Sequence, residues 1–456
     1  MKVFRRIPLS LRKARAKGFQ FAPLWMIFDI KVYLRRNSRL VIGGHVVNSS
    51  GHEVYASTMK SVSARILMKI AAANNLDVIT GDICNSYLNT NTQENIYTDA
   101  GTDYELVGVI VEENFLKVIK ALYGLPTSGN IWHAHLSHNL KEMGFKPTRF
   151  DPDVWIRGRE VGYNYTGTHT NDVLVVAVNT TSIFEKLNET YTIKAFVPPK
   201  VHLGCDYAQV NKGATTRWVM GISTYITECL RKVCTLLKVT TLQKDKLICS
   251  PGDHPKLHSS TLLWEEQHCF YQQLVGMAEF YVQVGRFEIC YTLTSLNCLS
   301  AAAREGHLSW LVKIFGYLQS VTGRRKSIVV SPEYIEEISG KGANMKNWLE
   351  KYPGASKDID NGLPEPKGRP LSTELYFDSD RVHDQGTQIS VYGFLCFFGL
   401  TPIRWNNKRQ ATIESSSYST ELCAGWVETQ EMLALQYILS SLGVPLKVPH
   451  HSVGTT

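Results

Sequence analysis

Two acidic positions stand where a folded chain could bring them together. Asp82 lies near the end of a β-branched run, LDVITGDIC (76–84), which predicts a buried strand. Asn171-Asp172 separates two further β-rich runs and predicts the turn of a hairpin. A strand-end carboxylate beside a hairpin-tip carboxylate can hold two divalent metal ions about 4 Å apart for phosphoryl transfer, and hard oxygen ligands favour Mg²⁺. The same spacing also fits a surface Asp and an ordinary polar turn.

Three further residues extend this chemistry. Tyr87 follows Asp82 by five residues, and an aromatic ring there could pack against a nucleotide sugar and exclude its 2′-hydroxyl. Asp378 lies within a strand-like run and Glu421 near the start of a predicted helix, which gives a second carboxylate pair of the two-metal kind. A Glu in the first turn of a helix is favoured by the helix dipole in any case, so a structural role stays open.

Two other motifs are interpreted as structural. His133, His135 and His138 form an H-x-H-x-x-H pattern on a predicted helix. Only His135 and His138 share a face and no carboxylate stands at metal-ligand spacing, so we predict solvent-facing histidines rather than a zinc site. Gly43-Gly44 lacks the Lys-Ser/Thr pair of a phosphate-binding loop and is predicted to separate two strands within SRLVIGGHVV (38–47).

The elements that must position these residues follow from periodicity and turn signals. Ser57-Thr58 predicts a helix N-cap, and helical spacing then continues over Val62, Ile66, Ile70 and Ala73. The other predicted elements are a helix over Trp132, Leu136, Leu140 and Met143 that Gly144 ends, β-rich runs at 162–170 and 173–178, strands at 374–380, 390–399 and 402–405, and a turn leading into a long helix within 415–443. The stretch 339–370, which is rich in Pro and Gly, predicts a linker.

The charge of the chain is concentrated near its start. The 456 residues carry 49 Lys and Arg against 41 Asp and Glu, a formal net charge of +8. Residues 1–40 hold eleven basic residues and one acid, which is +10, so the other residues together carry −2. This concentration of positive charge in residues 1–40 indicates a polyanionic partner. The ten cysteines follow no zinc spacing and predict reduced thiols, and no apolar run approaches the ~18 residues of a membrane span.

Ordered blocks of the sequence resemble the reverse transcriptase of copia-type LTR retrotransposons. These blocks are WMIFDIKVYLRRNSRLVIGGHVV (25–47), GDICNSYLNTNTQENIYT (81–98), KALYGLPTSGNIWHAHLSHNLKEMGF (120–145), DPDVW (151–155) and THTNDVLVV (168–176). Blocks that resemble the family's polymerase–ribonuclease H connection are VHLGCDY (201–207), YQQLVGM (271–277), VGRFEICYT (284–292) and REGHLSWLVKIFGYL (304–318). Blocks that resemble its ribonuclease H domain are ELYFDSDRVHD (374–384), GFLCFFGLTPIRWNNKRQ (393–410) and SSSYSTELCA (415–424).

The resemblance implies an α+β fold. It implies a right-hand polymerase with fingers, palm and thumb, then a connection and a C-terminal ribonuclease H-like α/β domain. The implied parts are a basic N-terminal arm at 1–19, fingers and palm at 20–230, thumb and connection helices at 231–338, the linker at 339–370 and the ribonuclease H-like domain at 371–456. We expect this last domain to be C-terminally truncated.

The resemblance also implies an activity and its partners. The activity is RNA-directed DNA synthesis by two-metal nucleotidyl transfer with Mg²⁺, and the partners are RNA template, DNA primer, RNA–DNA hybrid and dNTPs. We expect no membrane association, and a cytoplasmic location, in virus-like particles if the element is active, or a nuclear one. The residues carried over by position are Asp82 as the first palm metal ligand, Asp172 as its palm partner, Tyr87 as the sugar gate, Arg36 and Arg39 near the triphosphate, and Asp378 and Glu421 as ribonuclease H metal ligands.

Departures from the family pattern predict impaired catalysis. The family's palm hairpin reads Tyr-x-Asp-Asp, and here Asn171 takes the place of the first Asp. Asn37 stands where the family usually has Lys, and Pro449 stands where its ribonuclease H domain has a third Asp. We therefore expect a polymerase that is weak or inactive and a ribonuclease H site that is incomplete. The alternatives are a catalytically dead nucleic-acid-binding remnant and an unused, degenerate open reading frame.

Overall fold

The computed structural model describes the chain in several stretches. These are residues 2–6, 16–30, 36–99, 115–212, 215–246, 248, 255–322, 327–332, 362–384, 387–446 and 451–454. The predicted linker at 339–370 lies outside the described residues as far as residue 361, and Pro449 lies outside them as well. Among the described helices, none is long and apolar enough to cross a membrane.

The strands and helices are numbered in chain order. The strands are β1 Phe4–Arg6, β2 Gln20–Phe21, β3 Leu24–Ile30, β4 Arg36–Ile42, β5 Asp77–Ile83, β6 Ile96–Asp99, β7 Phe115–Val118, β8 Lys146–Pro147, β9 Val154–Gly158, β10 Tyr163–His169, β11 Asp172–Ala177, β12 Ile193–Val197, β13 Val201–His202, β14 Cys205–Lys212, β15 Thr215–Gly221, β16 Ile328–Val330, β17 Thr373–Asp384, β18 Ile389–Phe398, β19 Thr401–Arg409 and β20 His451–Gly454. The α-helices are α1 Ser61–Asn74, α2 Ser128–Glu142, α3 Thr180–Asn188, α4 Ser223–Leu237, α5 Glu265–Val284, α6 Cys290–Asn297, α7 Glu305–Thr322 and α8 Ser417–Ser441.

A six-stranded sheet forms the centre of the N-terminal half. Its strand order is β12-β5-β11-β10-β9-β8. Both faces of β11 are buried, because Leu174 and Val176 face the core on the α1 side while Val173 and Val175 pack with residues of α2 and α3. A strand that is covered on both faces reads as a continuous apolar run, and the predicted run at 173–178 is confirmed as β11. The predicted strand at 76–84 is confirmed as β5.

Helix α1 begins later than its sequence suggests. Its first residue is Ser61, so the prediction that Ser57-Thr58 forms the N-cap is wrong. The cap comes from another part of the chain, because the buried Asp151 accepts hydrogen bonds from the backbone N–H of Lys60 at 3.0 Å and from the Ser63 hydroxyl at 2.6 Å. A carboxylate at a helix N-terminus satisfies otherwise unpaired N–H groups. A residue 88 positions away cannot be identified as a cap from local sequence.

The β3–β4 ribbon joins the central sheet region through a close backbone approach. The backbone N–H of Ile42 donates to the carbonyl of Tyr123 at 2.8 Å. A Cβ atom at Gly44 would lie 1.9 Å from the carbonyl oxygen of Gly124, so only glycine fits there. The expected second strand after Gly43-Gly44 is wrong, because Gly44–Val46 forms a short 3-10 turn.

The C-terminal part is a four-stranded sheet with one long helix. Its order is β19-β18-β17-β20, and β20 pairs in parallel with β17. The predicted strands and the predicted helix within 415–443 are confirmed as β17, β18, β19 and α8. Arg65 of α1 ties this sheet to the rest of the chain, since it donates to the carbonyls of Ile403 at 2.9 Å and Gln283 at 2.8 Å and stacks on Trp405.

A third region lies between these two sheets. Strands β13-β14-β15-β16 form another four-stranded sheet, and helices α4 to α7 pack beside it. Their apolar faces share one continuous core with α1 and with the C-terminal sheet. The apolar faces of α5 and α7 therefore belong to the core, as buried Leu274, Tyr281, Leu311 and Phe315 show.

Candidate functional site

The hairpin between β10 and β11 holds the first candidate residues. Its strands pair from Tyr165 opposite Val176 to His169 opposite Asp172, so the turn residues are Thr170 and Asn171. The predicted turn at Asn171-Asp172 is therefore one residue too late. Thr170 has a φ of +56°, a left-handed conformation that is costly for a β-branched residue. The indole N–H of Trp132 donates to the Thr170 carbonyl at 2.7 Å and stabilises this strained turn.

Asp82 lies opposite Asp172 on one neighbouring strand and opposite Lys194 on the other. β5 pairs with β11 so that Asp82 is in register with Asp172, and it pairs with β12 so that Asp82 is in register with Lys194. The Lys194 ammonium lies 3.8 Å from one Asp82 carboxylate oxygen. The Asn171 side-chain amide donates a short hydrogen bond to the other oxygen. These four residues are called the central site.

The donor set of the central site does not fit a pair of metal ions. Both oxygens of Asp82 face hydrogen-bond donors, the Asn171 amide N–H and the Lys194 ammonium. Neither donor nitrogen can ligate a cation such as Mg²⁺, which takes oxygen ligands. Within the described part of the chain, no group of three or more His, Cys, Asp and Glu residues could hold a metal ion. The site thus combines two carboxylates with one fixed positive charge.

Tyr87 and Arg39 meet on a shared neighbour. Tyr87 lies in a short 3-10 turn, Ser86–Asn89, and its ring packs against Tyr123 with centroids 4.8 Å apart. The Arg39 guanidinium lies over the same Tyr123 ring, 5.9 Å from its centroid. Burial raises the pKa of the Tyr87 hydroxyl. Arg36 lies exposed at the start of β4, and no contact of the described residues places it beside the central site.

A small cavity lies between Tyr87 and the turn end of the β10–β11 hairpin. Its volume is about 140 Å³, and Tyr87, His133, Asp153, Thr168 and Thr170 are among its lining residues. His133 Nε2 lies 2.6 Å from Asp153 Oδ1, and this hydrogen bond raises the pKa of His133. The Asp153 side chain is 1% exposed. The prediction of a solvent-facing residue is therefore wrong for His133, whereas His138, 69% exposed, confirms it.

The second candidate pair comes together at the edge of β17 and the start of α8. The Ser379 hydroxyl donates to the Glu421 carboxylate at 2.7 Å, and the Ser379 backbone N–H donates to Asp378 at 3.0 Å. Ser379 thus joins the two predicted residues. Asp378 and Glu421, with Ser379, are called the C-terminal site. The position of Pro449, where a third carboxylate was expected to be missing, lies outside the described residues.

A third carboxyl group lies near the C-terminal site. Glu428 of α8 is fully buried, and among the described residues neither of its carboxyl oxygens has a hydrogen-bond partner. Burial, with the nearby Glu421, Asp378 and Glu431, raises its pKa to about 9. Glu428 is therefore protonated and neutral at pH 7. Three acidic side chains thus lie near one another in the C-terminal part, and the charges of Glu421 and Asp378 help to keep Glu428 protonated.

Three of these residues were missed at the sequence level. Lys194 carries no motif of its own, and Asp153 lies within the DPDVW block (151–155) without having been assigned a role there. Their roles come from strand register and burial. Glu428 had a visible signal, because it lies two helical turns after Glu421 on a face that is otherwise apolar.

The N-terminal half of the chain matches a known protein family. Residues 21–239 match the family model described as reverse transcriptase (RNA-dependent DNA polymerase). The chain is 23% identical over 405 residues to the Retrovirus-related Pol polyprotein from transposon RE1 of Arabidopsis thaliana, covering 87% of this chain and 24% of that protein. It is 21% identical over 427 residues to the Retrovirus-related Pol polyprotein from transposon TNT 1-94 of Nicotiana tabacum. This match covers 91% of this chain and 28% of that protein. The chain thus spans about a quarter of the length of these relatives.

Two solved structures also align with the whole chain. Both are foamy viral protease-reverse transcriptase, one a dRH form in complex with double-stranded DNA and one in complex with RNA/DNA hybrid. Each is 12% identical, with TM-scores of 0.47 and 0.46, and the alignments cover 60% and 52% of those chains.

The class is set by residues 21–239, which are a reverse transcriptase domain. Together with the similarity to the transposon polyproteins, this domain supports a copia-type Pol region, as the sequence blocks predicted.

Proposed function

We propose that the chain is a retrotransposon-derived RNA-directed DNA polymerase region whose central site performs nucleotidyl transfer weakly or not at all. The observation that carries this proposal is the hydrogen bond from the Asn171 amide to Asp82. An Asp at position 171 would bring a third carboxylate to the central site, beside Asp82 and Asp172. An Asn brings a neutral side chain that occupies the Asp82 oxygen instead.

The size of the expected defect follows from the charge that is missing. In two-metal nucleotidyl transfer the ions stabilise both the attacking and the leaving oxygen. Asp82 and Asp172 contribute −2 and Lys194 contributes +1, so the central site carries one net negative charge. If the missing carboxylate forfeits about 3 kcal/mol of transition-state stabilisation, the rate falls more than about a hundredfold.

Binding functions depend on residues outside the hairpin. Arg39, Tyr123 and Tyr87 form a continuous contact from the β3–β4 ribbon towards the central site. This arrangement supports a site for an incoming dNTP, with Tyr87 beside its sugar and Arg39 beside its phosphates. The proposed macromolecular partners are an RNA template, a DNA primer and their hybrid, and binding should weaken steeply with salt. We expect the protein in the cytoplasm, within virus-like particles if the element is active, or in the nucleus.

The C-terminal part is proposed to be a ribonuclease H-like domain without hydrolytic activity. The support is the strand-plus-helix placement of Asp378 and Glu421, joined by Ser379. The proposed inactivity is supported by the sequence, in which Pro449 stands where the family's ribonuclease H domain has a third Asp.

The second candidate function is nucleic-acid binding without turnover, and a third possibility is an unused open reading frame. The donor-occupied Asp82 favours the binding function if the defect is complete. Salt-dependent retention of an RNA–DNA hybrid with no primer extension would support it, whereas a chain that retains no nucleic acid would support the unused reading frame.

Primer extension tests the proposal. The natural chain should add dNTPs to a DNA primer on an RNA template with Mg²⁺ at a rate near background, and Asn171→Asp should raise that rate at least about a hundredfold. The matched control is Asn179→Asp at the N-cap of α3, where Asn and Asp cap equally well and no change is expected. Robust extension by the natural chain would refute the impairment, and no gain from Asn171→Asp would place the defect elsewhere.

A further inference from the structure

Helix α8 exposes a row of uncharged, mostly apolar side chains along its solvent side. They recur at spacings of four, four, three, four and four residues and are Tyr418, Leu422, Trp426, Thr429, Leu433 and Tyr437. Tyr418 is 77% exposed, Trp426 67% and Leu422 62%. These six residues are called the α8 stripe. Within the described residues, the ring contact at the stripe is Phe150 stacked on Tyr437 at its far end.

The opposite side of the same helix is already packed. Ala424, Leu435 and Leu439 are buried against the C-terminal sheet and the shared core. A surface helix normally has one apolar face and one charged face. Helix α8 has no Lys, Arg or Asp, and its only charged residue types are three glutamates that lie off the stripe. A second apolar face of this length calls for a partner.

The order of side chains in the α8 stripe is symmetric about its midpoint. The midpoint falls between residues 427 and 428. Tyr418 and Tyr437 lie equally far from it, Leu422 and Leu433 lie equally far from it, and so do Trp426 and Thr429. If a second α8 binds antiparallel, each Tyr meets a Tyr, each Leu meets a Leu, and each large Trp meets a small Thr. A two-fold interface requires this kind of self-complementary surface.

Length and area agree with such a pairing. The stripe runs about 28 Å along the helix, from Tyr418 to Tyr437. With aromatic side chains that bury about 150–250 Å² each, the exposed fractions amount to about 600 Å² per copy, near the ~800 Å² per partner of an ordinary interface. The absence of charge on the stripe removes the repulsion that two identical charged surfaces would have, and offers nothing to an acidic or basic partner.

We propose that the α8 stripe is the interface through which two copies of this chain associate, with their α8 helices antiparallel about a two-fold axis. This interface lies on the C-terminal part and is independent of the central site, so it goes beyond the polymerase function proposed above. The expected product is a dimer of micromolar affinity, since an interface of this size without hydrogen bonds leaves little surplus over the cost of association.

Sedimentation equilibrium of the full chain tests the interface. The natural chain should reach the mass of a dimer at tens of micromolar. Trp426→Glu should weaken the dimer at least about a hundredfold, because it places a charge opposite Thr429 of each copy. The matched control is Val161→Glu, which changes another apolar residue, 76% exposed, outside α8 and should leave the dimer intact. A natural chain that stays monomeric, or a dimer that tolerates Trp426→Glu, overturns the proposal.

Two further variants test the antiparallel register and guard against a folding defect. Adding Thr429→Lys to Trp426→Glu should restore most of the dimer, because each new Glu then faces a new Lys of the other copy. Leu422→Cys with Leu433→Cys should form a disulfide-linked dimer on oxidation, while Leu422→Cys alone should not exceed the natural chain, whose own cysteines set the background. Failure of both restoration and cross-linking contradicts the register.

Discussion

The central site and the C-terminal site differ in the groups that surround their carboxylates. Both hold a pair of carboxylates on adjoining elements. In the central site, the Asn171 amide and the Lys194 ammonium face the two oxygens of Asp82. In the C-terminal site, Asp378 and Glu421 are linked by the small polar Ser379, and a further carboxyl group, Glu428, is buried nearby without a hydrogen-bond partner among the described residues.

The two sites therefore differ in the groups that lie beside their carboxylates. In the central site, Asn171 and Lys194 place two donors at Asp82, and the Lys194 ammonium compensates one of the two negative charges. In the C-terminal part, Glu428 stays protonated near neutral pH, because burial and the nearby Glu421, Asp378 and Glu431 raise its pKa to about 9. The central site thus keeps one net negative charge, whereas the C-terminal site keeps the two carboxylates of Asp378 and Glu421 beside a protonated Glu428.

The largest effect on stability should come from Glu428. Its carboxyl group has a pKa of about 9 when folded and an ordinary value when unfolded. Ionisation therefore favours the unfolded state, and the stability of the C-terminal part should fall by several kcal/mol as pH rises from about 4.5 towards 9. Glu428→Gln should remove this fall and slow hydrogen exchange of the α8 amides at pH 8.5.

The control for this prediction is an exposed helical glutamate. Glu185→Gln in α3 should leave the exchange of α8 unchanged at both pH 5.5 and pH 8.5, since Glu185 is exposed. Protection of the α8 amides that is independent of pH in the natural chain, once the intrinsic base-catalysed exchange rate is divided out, would show that Glu428 does not ionise on opening.

The next largest effect should come from the His133–Asp153 pair behind the central site. His133→Ala leaves the buried Asp153 carboxylate without its cation and should lower the unfolding free energy at pH 6 by about 1–3 kcal/mol. The hydrogen bond raises the pKa of His133, so its stabilisation is complete below about pH 6.5 and is lost as pH rises through the folded value.

Urea unfolding at pH 6 and pH 8.5 measures this difference. The cost of His133→Ala should shrink at the higher pH, because the natural histidine is then neutral as well. His138→Ala removes an exposed pair with Glu142 and should change stability by less than about 1 kcal/mol. An equal cost of His133→Ala at both pH values would rule out an ionic contribution.

The smallest effect should come from Lys194. Its contact with Asp82 is 3.8 Å long and both side chains are substantially exposed, so Lys194→Ala should cost at most about 1 kcal/mol of stability, and less in high salt. Lys186→Ala, which removes the similarly exposed pair with Glu189, is the matched control. A loss well above that of the control, measured by thermal unfolding at low and high salt, would mean that Lys194 holds the β5–β12 pairing together.

The sequence predicted the fold better than it predicted the surroundings of the sites. Periodicity found β5, β11, α2 and α8, because apolar spacing directly reflects which faces are buried. It placed the start of α1 too early, since the cap is Asp151, far away in sequence. Family blocks identified Asp82, Asn171 and Asp172, but Lys194 reaches Asp82 only through the register of β12.

Binding of Mn²⁺, a spectroscopic probe for Mg²⁺ sites, tests the central claim most directly. Electron paramagnetic resonance of the full chain should be recorded with Asp378→Asn present throughout to remove the C-terminal site. The account predicts no Mn²⁺ site that depends on Asp82 in the chain with its natural Asn171, and a new Asp82-dependent site in Asn171→Asp. Two Mn²⁺ ions bound by the chain with Asn171, and lost on Asp82→Asn, would contradict it.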